Sequence, residues 1–399
     1  MKITGITLLA VFIAACVFAG GLFLGEKVAL NGFIANHASI SSSSGSTFSV
    51  LEEIYNIAMT QYVETPNKTK LVNGAINGML DALGDPHTMH FNKSDFQHVN
   101  EVTEGRFEGV GMTLELTNGQ LTVVSPIVGT PAAQAGLKAG DKITAIDGKT
   151  TKDMPLDTAV NKIKGKSGTK VTVSVVTGDA PARDVTLTRA EIRVPNIQSR
   201  MEGDIGYIRL IHSFDSSAGP DVRKEMVKLK GQGAKAIVFD LRNNPGGLLI
   251  SGVDVASCFI SKGVIVSIRE KNKAEQKYTA TGSADADIPM CVLVNKGSAS
   301  ASEIVAGAIQ DYARGPIIGE QSYGKGSVQT VMDLSDGSGL IITTAKYYTP
   351  KGRTINKVGV TPDIKVAQPA GDATDAQLNK ALEVLRFMVG GGDWRTLKN

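Results

Sequence analysis

Apolar and polar positions change texture several times along the chain. Residues 3–25 are mostly apolar, with no charge between Lys2 and Glu26. Roughly 20 helical residues cross a hydrocarbon core, so residues 1–25 are expected to form a single membrane span that leaves the bulk of the chain exported. Residues 26–46 thin out into Ser41-Ser42-Ser43-Ser44-Gly45-Ser46, the composition of a flexible tether. From 47 to 104 the period becomes helical: Leu51, Ile54, Tyr55 and Ala58 recur at i, i+3, i+4 and i+7. Leu71, Ile76, Met79 and Leu80 make a second apolar face, which Gly84-Asp85-Pro86 ends.

Residues 105–190 carry short strand patterns between glycines. Strands are predicted at Met112–Leu116, Leu121–Ser125, Lys142–Ile146 and Val171–Val176, and short helices at Ala132–Gly136 and Pro155–Lys164. From 191 to 368, apolar strands at Ile205–Ile211, Ala236–Leu241, Val264–Ile268 and Met290–Val294 alternate with helices at Leu248–Phe259 and Glu303–Tyr312. Strand-helix-strand order predicts a largely parallel sheet with flanking helices. Residues 369–399 end the chain with an amphipathic helix at Gln377–Met388. The whole reads as a multidomain α/β (α+β) protein with a membrane segment ahead of it.

Composition narrows the function. The 42 basic and 39 acidic residues nearly cancel, no basic block occurs, and aromatics make up 5% of the chain. No nucleic-acid partner is expected from such a balance. Cys16, Cys258 and Cys291 have neither ligand spacing nor a disulfide framework, so no structural metal is expected. Cys16 also closes Ile13-Ala14-Ala15-Cys16, which resembles a lipoprotein signal, although Val17–Gly25 stays apolar where such a signal turns polar. An uncleaved anchor is the reading adopted. Secretion after cleavage and acylation at Cys16 are the alternatives; a cleavable signal has a shorter apolar core, of about 7–15 residues.

Familiar catalytic strings are absent: there is no Gly-x-Ser-x-Gly, no His-Glu-x-x-His and no phosphate-binding loop. His37, His87, His90, His98 and His212 are the only histidines; His87 and His90 could be half a metal site, but no carboxylate pair stands beside them at ligand spacing, and a local polar or capping role is expected. A serine hydrolase here would need another base. Gly297-Ser298-Ala299-Ser300-Ala301-Ser302-Glu303 ends a predicted strand and opens a helix, where N–H groups face a developing oxyanion. Ser300 with Glu303 also reads as a plain capping box, and the string alone does not say which serine matters. Gly324-Lys325-Gly326 could be a solvated turn. Burial would instead favour the neutral amine and make a base of it. In an extended chain Gln329 would share the face of Lys325. Asp240-Leu241-Arg242-Asn243-Asn244-Pro245-Gly246-Gly247 suits either a tight strand-to-helix turn or a loop that presents N–H groups.

Together these three segments resemble the carboxyl-terminal processing proteases, serine peptidases of family S41. The resemblance implies a crotonase-like α/β protease core at 191–368, a PDZ domain inserted at 105–190 and a helical segment at 47–104, within which Gly74–His87 matches the family's stretch ending in Asp85-Pro86-His87. It implies Ser300 as nucleophile, Lys325 as base, Gln329 as the holder of the amine, and Gly247 and Ala301 as oxyanion donors. Gly109-Val110-Gly111-Met112 matches the PDZ loop that binds a terminal carboxylate, and Pro131–Asp141 is a frequent PDZ string. Gly359–Ile364 matches a late strand motif. Implied partners are proteins or peptides with apolar C-terminal tails, captured by strand addition, with no cofactor. The helices at 47–100 and 377–388 could pair protomers or pack within one chain, and an accessory adaptor is a further implied partner. One departure is Lys164-Gly165, where many relatives carry arginine; lysine cannot copy a bidentate guanidinium. Two rival readings are a non-enzymatic PDZ adaptor and a crotonase-like acyl-transfer enzyme. Intact Ser300, Lys325 and Gln329 oppose the first, and the lack of a CoA-binding region opposes the second.

Overall fold

The computed structural model describes residues 47–397, apart from 118, 283 and 369–373. The expected membrane segment, the tether and Cys16 lie outside the described residues. No helix among the described residues is long and apolar enough to cross a membrane. Contacts divide the chain into two units: one joins the residues up to His98 with Gln198 onward, and the other is Val99–Ile197.

The larger unit is built on a six-stranded sheet ordered Ile197–Glu202, Ile205–Leu210, Ala236–Asp240, Met290–Val294, Ile317–Gly319, Ile364–Lys365. The last five of these strands pair in parallel. Parallel strands are covered on both faces and therefore read as continuous apolar runs. Ala236–Asp240 and Met290–Val294 are buried at every position. Alternate residues (Ile205, Tyr207, Ala236, Val238, Cys291 and Leu293) form one cluster with Leu378, Ala381, Leu382 and Leu385 of the terminal helix Ala376–Val389. Cys258 and Cys291 are buried free thiols, as the apolar strings around them suggest.

A second, five-stranded sheet of this unit was not anticipated. Gly339–Tyr348 pairs antiparallel with Met89–Phe91, with Val264–Glu270 and with Ser327–Asp333. The segment 47–104 is thus not purely helical. Helices Thr47–Gln61 and Lys68–Asp81 are followed by the short strand Met89–Phe91. Asn67 caps the second helix by accepting from Lys70 N–H at 3.0 Å. Three residues can hold a strand here only because they pair with a long neighbour, which no local period reveals.

The smaller unit holds a six-stranded sheet whose path runs Met112–Thr117, Gln120–Pro126, Lys142–Ile146, Lys170–Val176, Arg183–Thr188, with Lys149–Thr150 beside Lys142–Ile146. The alternation predicted for these strands is realised. Val171, Val173 and Val175 point into a core with Leu121, Val123, Ile143 and Ile146. Met112–Thr117 lies at the end of the path, and Leu156–Ile163 packs on it.

Candidate active site

The helix Ala301–Asp311 begins immediately after Ser300, whose backbone is held at φ 53°, ψ −115°. That conformation is strained for a residue with a Cβ and persists only where its surroundings enforce it. Here they do. The Ser300 N–H donates to Glu303 Oε2 at 2.9 Å, and its carbonyl accepts from the N–H groups of Glu303 and Ile304. The carboxylate arm of the predicted capping box therefore forms.

The other two serines are committed elsewhere. Ser298 Oγ donates to Leu241 O at 2.8 Å, and Ser302 Oγ donates to Asn244 O at 2.9 Å. Both tie the string to the 241–247 loop, which leaves Ser300 at the elbow. Asn244 completes the tie by donating to Leu210 O and accepting from Gly246 N–H, each at 2.9 Å.

Gly246 and Gly247 are required where they stand. A Cβ on Gly246 would meet Ser300 Cβ at 2.7 Å and Ala301 N at 2.8 Å. A Cβ on Gly247 would meet Phe214 N at 2.6 Å. Gly247 forms a parallel bridge with Phe214, made by Phe214 N–H to Gly246 O and Leu248 N–H to Phe214 O. In such a bridge the flanking groups carry the bonds, so the N–H of Gly247 itself points away from Phe214. The Ala301 N–H belongs to the first turn of its helix, where N–H groups lack intrahelical partners.

Lys325 lies in the turn before the strand Ser327–Asp333, not within it, so the expected sharing of a strand face with Gln329 does not arise in that way. It is 2% exposed and Ser300 is 3% exposed. Glu303 binds this turn as well. Its Oε1 accepts from Gly324 N–H and Ser322 Oγ, each at 2.6 Å, and its Oε2 accepts from Lys325 N–H at 2.9 Å. Burial pushes the Glu303 carboxyl up from the ordinary carboxylate range, and these four donors work against that shift. Tyr347, fully buried, donates its hydroxyl toward Lys325 O and toward Ser300 O at 3.3 Å. Burial, with Glu303 nearby, raises the Tyr347 phenol well above its usual value, so it remains a donor. Sequence reasoning saw Glu303 only as a cap and did not single out Tyr347.

Gln329 is 1% exposed. Its Nε2 donates to Ser327 Oγ and to Thr343 Oγ1, each at 2.9 Å. Its buried Oε1 accepts no hydrogen bond from the described residues. His87 lies within electrostatic reach of Lys325. Burial, and behind it the electrostatic influence of Lys325, push its imidazole below the ordinary value. The folded state thus favours the neutral ring. That contribution to stability is complete above about pH 6.5 and is lost as pH falls through the depressed value. Urea unfolding at about pH 7.5 and pH 5.5 should show a smaller loss of stability for His87→Gln than for the parent. Equal losses would mean that the ring's titration is not coupled to folding.

No group of three or more metal-binding side chains exists among the described residues. Arg242 in the 241–247 loop is clamped between Asp240, wholly buried, and Asp375 at 2.7 Å. This ion pairing ties the loop to the start of the terminal helix.

In the smaller unit, Gly109 ends the strand Arg106–Gly109, Val110 is buried and Met112 opens the edge strand. Gly111 has φ 76° and packs where a Cβ would meet Thr130 at 2.4 Å. The carbonyls of Val110 and Gly111 are both satisfied, by Ala132 N–H at 2.8 Å and Thr130 Oγ1 at 2.9 Å. Lys164 pairs with Glu101 and stands 5.4 Å over the Phe107 ring, so it is engaged within its own unit.

A serine at a strained strand-to-helix elbow beside a glycine loop lies within the stretch whose family matches define the class: a serine peptidase with a PDZ domain. The chain matches Peptidase family S41 over residues 204–366, the PDZ domain over 101–176 and the activating protease CtpB N-terminal domain over 12–95. It is 43% identical over 323 residues to a carboxy-terminal-processing protease of Bartonella bacilliformis, covering 79% of this chain and 74% of that one. It is 36% identical over 357 residues to the carboxyl-terminal-processing protease of Synechocystis, covering 84% and 83%. Among solved structures it is similar to a photosystem II D1 C-terminal processing protease, at 33% identity and a TM-score of 0.50, covering 86% and 91%. The chain belongs to the carboxy-terminal-processing proteases of peptidase family S41.

Proposed function

We propose that this peptidase works by Ser-Lys catalysis and cuts exported or envelope proteins that it recognises by their C-terminal ends. The observation that carries the reading is the shared anchoring of Ser300 and Lys325. Glu303 accepts the N–H groups of both, and Tyr347 donates toward the carbonyls of both. Two side chains thereby fix the main chains of nucleophile and base together, as preorganised chemistry requires.

An ammonium at this depth would lose its hydration, and burial therefore favours the neutral amine. Lys325 takes the proton from Ser300 Oγ, which attacks the scissile carbonyl. The N–H groups of Gly247 and Ala301 receive the oxyanion, and the tetrahedral intermediate collapses to an acyl-enzyme with release of the amine. The proton held by Lys325 passes to that leaving amine, and water then hydrolyses the ester. Gln329 holds the lysine amine without adding charge. In the PDZ domain, the Gly109-Val110-Gly111-Met112 loop takes the tail's carboxylate, and the tail adds as a strand beside Met112–Thr117, a sheet edge against which a helix already packs. Residues 1–25 anchor the chain and place the peptidase on the exported side of the membrane. The helices Thr47–Gln61 and Lys68–Asp81 expose Phe48, Ile54 and Met79, an apolar surface that suits a second copy or an accessory protein.

The test is cleavage of an unfolded protein with an apolar C-terminal tail, using the fragment from Ser46 onward and its Ser300→Ala variant. Cleavage by the parent alone, and weaker cleavage when the tail is made acidic, is expected. Cleavage by both proteins would remove Ser300 from the chemistry, and indifference to the tail would remove the recognition step.

A further inference from the structure

Gln329 can hold an amine only if its carbonyl, not its NH2, faces that amine. A side-chain amide carries a donor end and an acceptor end of nearly the same shape, so its neighbours decide which way it lies. In this chain the neighbours are the hydroxyls of Ser327 and Thr343, and the second of these residues meets the turn that follows the helix Lys68–Asp81. Gln329 stands opposite Thr343 across the strand pair, and the register slips between Val328 and Gln329, so that Thr344 is left over. Such a slip re-aims the side chains beside it. Gln329 Nε2 donates to Thr343 Oγ1 at 2.9 Å, and the main-chain N–H of Thr343 donates to Thr88 Oγ1 at 3.2 Å. Thr88 Oγ1 in turn donates to Asp85 Oδ2 at 2.7 Å. Burial alone would raise the Asp85 carboxyl; Thr343, the Thr88 hydroxyl and the His87 N–H around it bring it below its ordinary value.

A carboxylate only accepts, so the Thr88 hydroxyl gives its proton to Asp85 and offers its lone pairs to the Thr343 N–H, which holds the Thr343 main chain beside Gln329. Thr343 Oγ1 and Ser327 Oγ both accept from Gln329 Nε2 at 2.9 Å, so the NH2 end of the amide lies between two hydroxyls. The carbonyl oxygen faces the opposite way. It is buried and accepts nothing from the described residues, although an unmade acceptor at that depth is costly.

We propose that Thr343 is a positioning residue for the reaction: it orients the Gln329 amide so that the carbonyl serves the Lys325 amine, with its own main chain held by the Asp85–Thr88 turn. This rests on the Ser-Lys reading above. The N-terminal segment is thereby a working part of the active site, since its Thr88 hydroxyl holds the main chain of Thr343.

Thr343→Val preserves shape, strand preference and the main-chain N–H to Thr88 while removing the hydroxyl. The expected result is a fall in kcat of about 10- to 100-fold with KM within about twofold, the size of effect that misplacing a catalytic group produces. Thr343→Ser should restore most of the rate. In a Gln329→Ala background Thr343→Val should change nothing further, because there is no amide left to orient. Asp85→Ala should show the same kcat-only loss and the same disappearance in Gln329→Ala, and it carries the comparison if Thr343→Val fails to fold. Full activity of folded Thr343→Val, or an equal loss in both backgrounds, overturns the proposal. Lys325→Ala run alongside separates the two levels. If that variant stays active, the Ser-Lys reading itself falls; if it is dead while Thr343→Val is normal, only the positioning role falls.

Discussion

Lys325→Ala is expected to abolish cleavage, by on the order of 10⁴-fold or more, while the chain stays folded and still binds an apolar tail peptide. Losses of that size arise when one member of a mutually dependent pair is removed, because the remaining nucleophile has nowhere to send its proton. The side chain is buried, so truncation leaves a small cavity, but the turn keeps its main-chain bond to Glu303 at 2.9 Å. Truncating a buried side chain of this length costs about 2–5 kcal/mol, offset in part because no amine is left to bury, so a cooperative urea transition with a somewhat lower midpoint should accompany the lost turnover. Lys325→Arg should be as inactive as the alanine variant, since a guanidinium remains protonated in proteins and cannot accept the proton. Turnover near normal by either variant would sink the mechanism.

The second large effect is expected at Gly247. Gly247→Ala would set a Cβ 2.6 Å from Phe214 N and 2.7 Å from Phe214 O, both main-chain atoms of a bridged strand end. Backbone cannot swing aside as a long side chain can. The φ of 153° lies in a region that residues with a Cβ rarely adopt, which adds to the strain. The loop must shift, and its N–H shifts with it. Loss of one oxyanion donor costs about 10²- to 10³-fold in kcat, and that is the expected fall. KM should change little, since the donor acts on charge that develops only in the transition state. A folded Gly247→Ala with unaltered kcat would assign the oxyanion to other groups and leave the glycine a purely structural role.

Much of the fold was legible along the chain. Buried parallel strands such as Ala236–Asp240 and Met290–Val294 announce themselves as unbroken apolar runs, and half-buried ones such as Lys170–Val176 by alternation. Predicted ends differ from observed ones by a few residues. Leu248–Phe259 shrinks to Leu249–Ala256, because the last turn lacks a capping signal that a local reading could use. The antiparallel sheet around Gly339–Tyr348 escaped notice. Burial along Ser327–Asp333 has no period of two, and although it alternates along Gly339–Tyr348, the residues Gly-Leu-Ile-Ile-Thr-Thr-Ala-Lys-Tyr-Tyr do not alternate apolar with polar. Met89–Phe91 has only three residues and borrows its order from residues 339–341, some 250 positions away.

What the sequence determined by itself is the chemical inventory and its local setting: a serine string opening a helix, a lysine between glycines, a glycine turn after a buried strand, and a PDZ string. Those are local properties, because caps, turns and strand periods are decided within a few residues. Which of Ser298, Ser300 and Ser302 stands free at the elbow was decided only in three dimensions, by the carbonyls of Leu241 and Asn244 that engage the first and last. The same holds for the burial of Lys325, for the joint hold of Glu303 and Tyr347 on both main chains, and for the Thr343 hydroxyl that turns Gln329. Each of these depends on groups tens to hundreds of residues apart meeting within hydrogen-bond distance. Hydrogen bonds fade within a few tenths of an ångström and a few tens of degrees, so only the packed tertiary structure, with its register and its slips, sets them.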